Sequence, residues 1–232
     1  MTNISHSADL QYALHAGTIP RFNPNKLSPL IIRSTFGQLV PREELSNLAR
    51  NARVNDTVLR DVLIDLMSIS YFFNDSHVFV KLDPYAYQEI LIVVCYQLLQ
   101  RNPLLCEGFE DVNENACHLG LLVLVTKLLF QHGRSRKFPY HLLLERVRFS
   151  IQSSLSNKLV AETTRLWLLF VAGISVFGDT KLMLLMPQIR ILLSGLNIDS
   201  WENARKTIKT LPWIDAVHDK PGKELWQTIV CE

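Results

Sequence analysis

The chain has 232 residues, with 24 basic and 22 acidic side chains and a formal net charge of +2. This balance excludes a chain-wide attraction to nucleic acid or to anionic membranes. Hydrophobic residues make up 48% of the chain, which excludes global disorder. We therefore expect one globular domain with a large apolar core, since this length suits one domain better than two.

The spacing of the cysteines and the length of the apolar runs indicate the cellular compartment of the protein. The four cysteines contain no C-x-x-C pair, which excludes a zinc site built from cysteines and gives no sign of a disulfide framework: Cys95, Cys106, Cys117 and Cys231. The first seventeen residues lack an apolar signal core, and the runs at 119–125 and 166–177 are shorter than the ~20 residues of a membrane span. An intracellular protein without a membrane segment is expected.

Prolines divide the N-terminal part of the chain. Pro20, Pro24 and Pro29 interrupt regular structure, so we predict an extended arm over residues 1–30 and a helical domain over 31–232. The segment "PREELSNLARNA" from Pro41 begins the helical pattern, with proline at a first helical position and two glutamates in the first turn.

The middle of the chain predicts the centre of the fold. After a helix at about 54–73, Asp83-Pro84 starts an apolar helix that Asn102-Pro103 stops. The stretch 113–131 is apolar on nearly all sides, interrupted only by Lys127, and the stretch 158–177 is nearly all apolar in its second half. Helices of this kind belong inside a bundle rather than on its surface.

Helix signals continue to the C-terminus. Pro187 should kink or split a helix at 180–194, Asp199 should cap the next helix in a capping box with Glu202, and Asp219 should cap a last helix that begins near Pro221. No alternating strand pattern is evident. The sequence predicts an all-α fold, a single multi-helix bundle of about nine or ten helices.

The tail "LPWIDAVHDKPGKELWQTIVCE" carries the densest set of titratable groups. Asp215, His218 and Asp219 share a helical face, where a carboxylate can orient an imidazole. A hydrolase would also need a nucleophile elbow, and no G-x-S-x-G occurs. We interpret these residues, with Trp213 and Trp226, as structural pins that fasten the last helices, and predict no catalytic residue.

Metal and nucleic-acid sites have weak support. Glu114 and His118 have i,i+4 spacing but supply at most half of a zinc shell, so we predict neither metal nor cofactor. The basic stretch 132–148 is the one candidate for nucleic acid, and in a near-neutral chain it would bind weakly; no direct DNA binding is expected.

Several segments resemble a known family. The order "DPYAYQEILIVVCYQLL", "ENACHLGLLVLVTKLLFQHGR", "RLWLLFVAGISVFG" and "PWIDAVHDKPGKELW", spanning about 83–229, is similar to the C-terminal regulatory domain of fungal-specific zinc-cluster transcription factors. The resemblance implies an all-α domain that regulates transcription through contacts with other protein segments. The tail is its most specific part.

The chain departs from the family in its cysteines. A zinc cluster needs six closely spaced cysteines, and the four here are scattered, so the DNA-reading module cannot be carried over. A fragment, a truncated regulator and a stand-alone descendant all remain open. The leading hypothesis is a regulatory, protein-interaction domain, homo-oligomeric or bound to a protein partner, and nuclear if it keeps the family role but otherwise cytoplasmic.

The alternative hypothesis uses the apolar interior. A helical shell of this size can hold a hydrophobic molecule of fungal secondary metabolism, as a binding protein or a cofactor-independent cyclase. The candidate ligand-binding residues are the polar, aromatic or adaptable side chains on apolar helices: Tyr96, His118, Trp167, Met183 and Met186.

Overall fold

The computed structural model describes residues 2–22, 42–75, 82–130, 140–156, 160–175 and 186–231. These residues form ten α-helices and no strand, so the all-α prediction is confirmed. The helices are α1 (Thr2–Ala16), α2 (Arg42–Asn51), α3 (Thr57–Asn74), α4 (Pro84–Arg101), α5 (Val112–Phe130), α6 (His141–Ser156), α7 (Glu162–Ser175), α8 (Met186–Gly195), α9 (Trp201–Ile208) and α10 (Asp215–Cys231). None of them is long and apolar enough to cross a membrane.

Helices α5 and α7 form the centre of the bundle. Helix α7 packs against α5, α6, α8, α9 and α10, while α5 also packs on α3, α4 and α6. Residues 166–172 of α7 are all 0% exposed. Gly120 allows the two helices to approach, because a Cβ at this position would overlap the ring of Trp167. The sequence-based prediction of two central apolar helices is confirmed.

The extended arm predicted for residues 1–30 is wrong for its first half. Thr2–Ala16 is helix α1, which packs on α4 and α6 with Leu10, Ala13 and Leu14 fully buried. Apolar residues at i, i+3 and i+4 give a helix one face to bury, and the prolines come only after this helix has ended. The remainder of that arm, from position 23 onward, lies outside the described residues.

Both ends of α4 agree with the sequence signals. The Asp83 carboxylate accepts a hydrogen bond from the backbone N–H of Ala86 at 3.0 Å, and Pro84 occupies the first turn. The helix ends at Arg101, where the N–H of Asn102 donates to the carbonyl of Leu98. An aspartate cap and a proline beyond the C-terminus are therefore sufficient to predict this helix.

The cap predicted for α9 is one residue too early. Ser200, rather than Asp199, precedes the helix, and its hydroxyl oxygen accepts from the N–H of Asn203 at 3.3 Å. Ser200 has the extended backbone of an N-cap, with φ −136° and ψ 155°. The side chain of Asp199 instead accepts from the Asn203 amide group at 3.1 Å.

The prediction for Pro221 is wrong, and the prediction for Pro187 falls partly outside the described residues. Pro187 is the second residue of α8, and residues 180–185 of the helix predicted at 180–194 are not among the described residues. Pro221 lies inside α10, which begins already at Asp215. Buried residues on both sides of this proline, His218 and Trp226, hold the two halves of α10 on the core, so tertiary packing outweighs the lost hydrogen bond.

Candidate functional site

Helices α9 and α10, with the connection between them, form the candidate functional site, because this segment carries the strongest sequence signature. Arg205 of α9 joins both aspartates of α10. Its Nη2 lies 2.7 Å from Asp215 Oδ2, and its Nε donates to Asp219 Oδ2 at 2.9 Å. Lys209 Nζ also lies 2.8 Å from Asp215 Oδ2. The two carboxylates are thus held by neighbouring cations rather than directed at a reacting group.

A long-range contact holds the start of α10. Asn74, the last residue of α3, donates from Nδ2 to the carbonyl of Trp213 at 2.7 Å and accepts at Oδ1 from the N–H of Asp215 at 2.8 Å. One amide side chain therefore binds two backbone groups. The carbonyl of Trp213 lies just before α10, and the N–H of Asp215 lies in its first turn, where N–H groups have no partner within the helix. The contact fixes the direction in which the tail enters its last helix.

His218 is buried and is not oriented by an aspartate. Its Nδ1 accepts the backbone N–H of Ile214 at 2.9 Å, and its ring lies against the Trp213 indole with 5.0 Å between centroids. Burial, reinforced by the charge of Lys127, lowers the pKa of His218 to about 3. The imidazole therefore stays neutral at physiological pH, and its Nε2 has no hydrogen-bond partner among the described residues. This geometry does not form a proton-transfer pair.

Both tail tryptophans lie in the core. Trp213 is 1% exposed and its Nε1–H donates to Asp219 Oδ1 at 2.8 Å, while Trp226 is 8% exposed. Asp219 thus accepts from an indole on one oxygen and from Arg205 on the other, rather than capping a helix. The burial and the hydrogen bonds of these residues fit the prediction that they hold the last helices on the bundle.

An open groove of about 490 Å³ lies along the outer side of the same segment. Trp201, which is only 8% exposed, lies at the base of the groove, and the other lining residues are charged or amide side chains: Asp219, Lys220, Lys223, Glu224 and Gln227. Gly222 lets α10 come close to α9, since a Cβ there would lie 2.8 Å from the Trp201 ring and 3.0 Å from that of Trp213. The groove is therefore built on the packing of two tryptophans against one helix.

The candidate ligand-binding residues of the interior make internal contacts. The hydroxyl of Tyr96 donates to Asp9 at 2.8 Å, tying α4 to α1. Trp167 donates from Nε1 to the carbonyl of Pro212 at 2.9 Å. Met186 begins α8 and is 3% exposed, whereas Met183 lies outside the described residues. Tyr96, Trp167 and Met186 do not line the groove.

His118 and Glu114, the pair with metal-ligand spacing, point to different partners. His118 is 1% exposed and shares a hydrogen bond of 3.0 Å between Nε2 and the carbonyl of Leu98; burial lowers its pKa to about 4. Glu114 Oε1 accepts the N–H groups of Asn55 and Asp56 at 2.6 and 2.7 Å. Among the described residues, no group of three or more His, Cys, Asp or Glu side chains could hold a metal ion.

Sequence reasoning missed the structural role of the motif "NENACH". It considered Glu114 as a possible metal ligand, yet this side chain is 7% exposed and binds the N–H groups that precede α3. Asn113 beside it donates to the carbonyl of Ala52 at 2.7 Å and accepts the N–H of Ala161 at 3.1 Å. The partners lie about fifty residues away in either direction, so no local signal identifies them.

No protein-family model, curated protein or solved structure matches the chain. The resemblance to the regulatory domains of fungal zinc-cluster transcription factors therefore stays a hypothesis that these comparisons do not test.

Proposed function

We propose that the chain is a transcription-factor-like regulatory domain that acts, in the nucleus, by binding a protein segment. The observation that carries this proposal is the open groove between α9 and α10, located on the segment with the strongest family resemblance. Its charged rim around the Trp201 ring suits a peptide, because protein interfaces carry a polar, solvent-accessible rim of this kind.

The ion pairs formed by the acidic side chains of the tail favour this proposal over a catalytic role for the tail. Asp215 and Asp219 are held by Arg205 and Lys209, and His218 is buried in its neutral form. A general acid or base needs a group within reach of a substrate and with a pKa near the working pH. Both aspartates are already bound by cations, and His218 is buried and does not line the groove.

The groove also fits a protein segment better than a hydrophobic metabolite. Pockets for apolar small molecules are lined mainly by hydrophobic and aromatic side chains. Here one tryptophan is accompanied by five polar or charged residues. Within the described part of the chain, Tyr96 and Trp167 already use their polar atoms in internal hydrogen bonds, so we do not propose the interior cyclase or carrier.

A tethering experiment tests the proposal. The chain, fused to a heterologous DNA-binding module, should change reporter expression in a fungal cell relative to the module alone. The double variant Lys220→Glu/Lys223→Glu should reduce that change at least about fivefold, the effect of losing roughly 1 kcal/mol of binding free energy. Both lysines are exposed and line the groove.

A matched charge reversal distinguishes the groove from general charge effects. Arg148→Glu on α6 alters an equally exposed cation outside the groove and should leave reporter expression at the level of the unmodified chain. Equal expression with the module alone would refute a regulatory role. Equal losses in the groove variant and in Arg148→Glu would refute the groove as its site.

A further inference from the structure

The charged side chains that line the groove between α9 and α10 differ in what they already bind. Asp219 accepts the indole N–H of Trp213 on one oxygen at 2.8 Å and the Nε–H of Arg205 on the other at 2.9 Å. Lys220 and Lys223 are exposed, and none of the ion pairs among the described residues involves them. The groove therefore offers two ammonium groups to a ligand, while Arg205 offsets the charge of its aspartate.

The indole of Trp201 adds a further hydrogen-bond donor to the groove. Indole N–H groups in a core normally find an acceptor, and those of Trp167 and Trp213 donate to a carbonyl and to a carboxylate of the chain. No described residue accepts the N–H of Trp201, and this N–H is not fully enclosed. The base of the groove thus contains a donor that the chain itself leaves unused.

The spacing along α10 brings the two ammonium groups to one face. Lys220 and Lys223 are three residues apart, so their side chains are neighbours on the helix surface. Glu224 places one exposed carboxylate on the same face, and no ion pair among the described residues involves it. Two ammonium groups and one indole N–H against a single unpaired carboxylate make the groove a surface of donors with an excess of positive charge.

We propose that the protein segment bound in this groove is acidic, with aspartate or glutamate side chains that accept from Lys220 and Lys223. The inference rests on the proposed function and adds to it the charge of the partner. An ionised carboxylate is an acceptor only, so it complements a surface of donors. Exposed charge pairs contribute little each, and their complementarity serves mainly to speed association and to select the partner.

Binding of two matched peptides to the purified intact chain tests the inference. A fluorescein-labelled peptide rich in glutamate is compared, by fluorescence anisotropy, with a peptide of the same length in which glutamine replaces every glutamate. The glutamate peptide should bind about fivefold more tightly, as expected for two exposed charge pairs, and added salt should reduce this difference. Equal affinity for the two peptides, or no binding of either at millimolar concentration, overturns the proposal.

Variants with opposite expected effects locate the binding in the groove. The double variant Lys220→Gln/Lys223→Gln should weaken binding of the glutamate peptide about fivefold. Glu224→Gln should strengthen it about twofold, because this change removes a charge of the same sign as the peptide. The control Arg148→Gln, at an exposed cation of α6 outside the groove, should leave the affinity unchanged. An affinity that does not respond to the two lysines, or that falls equally in Arg148→Gln, overturns the proposal.

The peptide experiment and the reporter experiment can fail separately. If the tethered chain changes reporter expression through the groove but the purified chain does not prefer the glutamate peptide, the acidic partner is wrong and the regulatory role stands. If the glutamate peptide binds in the groove but the tethered chain leaves expression at the level of the module alone, the regulatory role is wrong. The groove then remains a binding site for acidic segments.

Discussion

The α5–α7 pair and the α9–α10 pair each bury a tryptophan, but different forces hold them together. Trp167 packs over Gly120 in a layer that is apolar on all sides, and its indole N–H bonds a backbone carbonyl. Trp213 packs under an ion-pair network, and its indole N–H bonds the carboxylate of Asp219. The first pair depends on shape and the second on charge, so substitutions and added salt should affect the two pairs differently.

The largest expected effect is the loss of a tail tryptophan. Trp213→Ala should lower the free energy of unfolding by about 3–5 kcal/mol, because it leaves a cavity and frees Asp219 from the indole. Trp226→Ala, at the less buried position, should fall at the lower end of this range. Urea unfolding measures both, and Tyr85→Ala, at a ring that is 72% exposed, should change stability by less than about 0.5 kcal/mol. A Trp213→Ala loss as small as that of Tyr85→Ala would show that the tail does not fasten the bundle.

Acidification should destabilise both regions through their buried histidines. The folded-state pKa values are about 4 for His118 and about 3 for His218, both below the ordinary 6.5 because of burial. The unfolded chain therefore binds protons that the native chain does not, and the free energy of unfolding falls as pH decreases from 6.5. The expected loss is about 2 kcal/mol per histidine by about pH 5.

A single substitution separates the two histidines. His218→Asn should remove about half of the pH dependence between about pH 6.5 and 5, measured by urea unfolding at each pH. The His118 contribution, in the apolar region, should remain. An unchanged slope in the variant would indicate that His218 is protonated in the folded protein.

Overpacking tests the close approach of α5 and α7. Gly120→Ala should cost about 1–3 kcal/mol, because the new methyl group overlaps the Trp167 ring. Gly195→Ala is the matched control, since a Cβ there meets nothing within 4 Å. That control should leave stability unchanged or raise it by up to about 1 kcal/mol through better helix propensity. Equal thermal stability of the two variants would show that the helices can separate without cost.

The smallest effect concerns the ion-pair network. Arg205→Ala should cost about 1 kcal/mol, a value reduced by solvent because the side chains of Arg205, Asp215 and Asp219 are 34%, 27% and 31% exposed. The loss should shrink when salt is added, whereas that of Gly120→Ala should not. Thermal unfolding at low and high salt checks both. Salt-independent loss in Arg205→Ala would assign its role to packing rather than charge.

Local sequence patterns predicted most of the helices, but they did not predict which partner each polar side chain binds. Asp83 caps α4 as expected, since an N-cap binds an N–H group three residues away. The error at α1 arose because proline spacing was weighed more heavily than the apolar face of Leu10, Ala13 and Leu14. The error at Pro221 arose because helix propensity is a weak prior that packing overrides.

The candidate site was only partly predictable. The tail was singled out by its dense titratable residues and bracketing tryptophans, yet the groove depends on Trp201 coming close to Gly222. Arg205 carried no sequence signal as the partner of Asp215 and Asp219.

By itself the sequence determined the helical class and the two central helices, because hydrophobic periodicity and capping act over a few residues. Only the tertiary structure decided what the polar side chains do. Asn74 binds the start of α10 across 141 positions, and Glu114 binds the start of α3 across 58. Such pairings form when burial forces a polar group to find a partner, and that partner is chosen by the packing of the whole bundle.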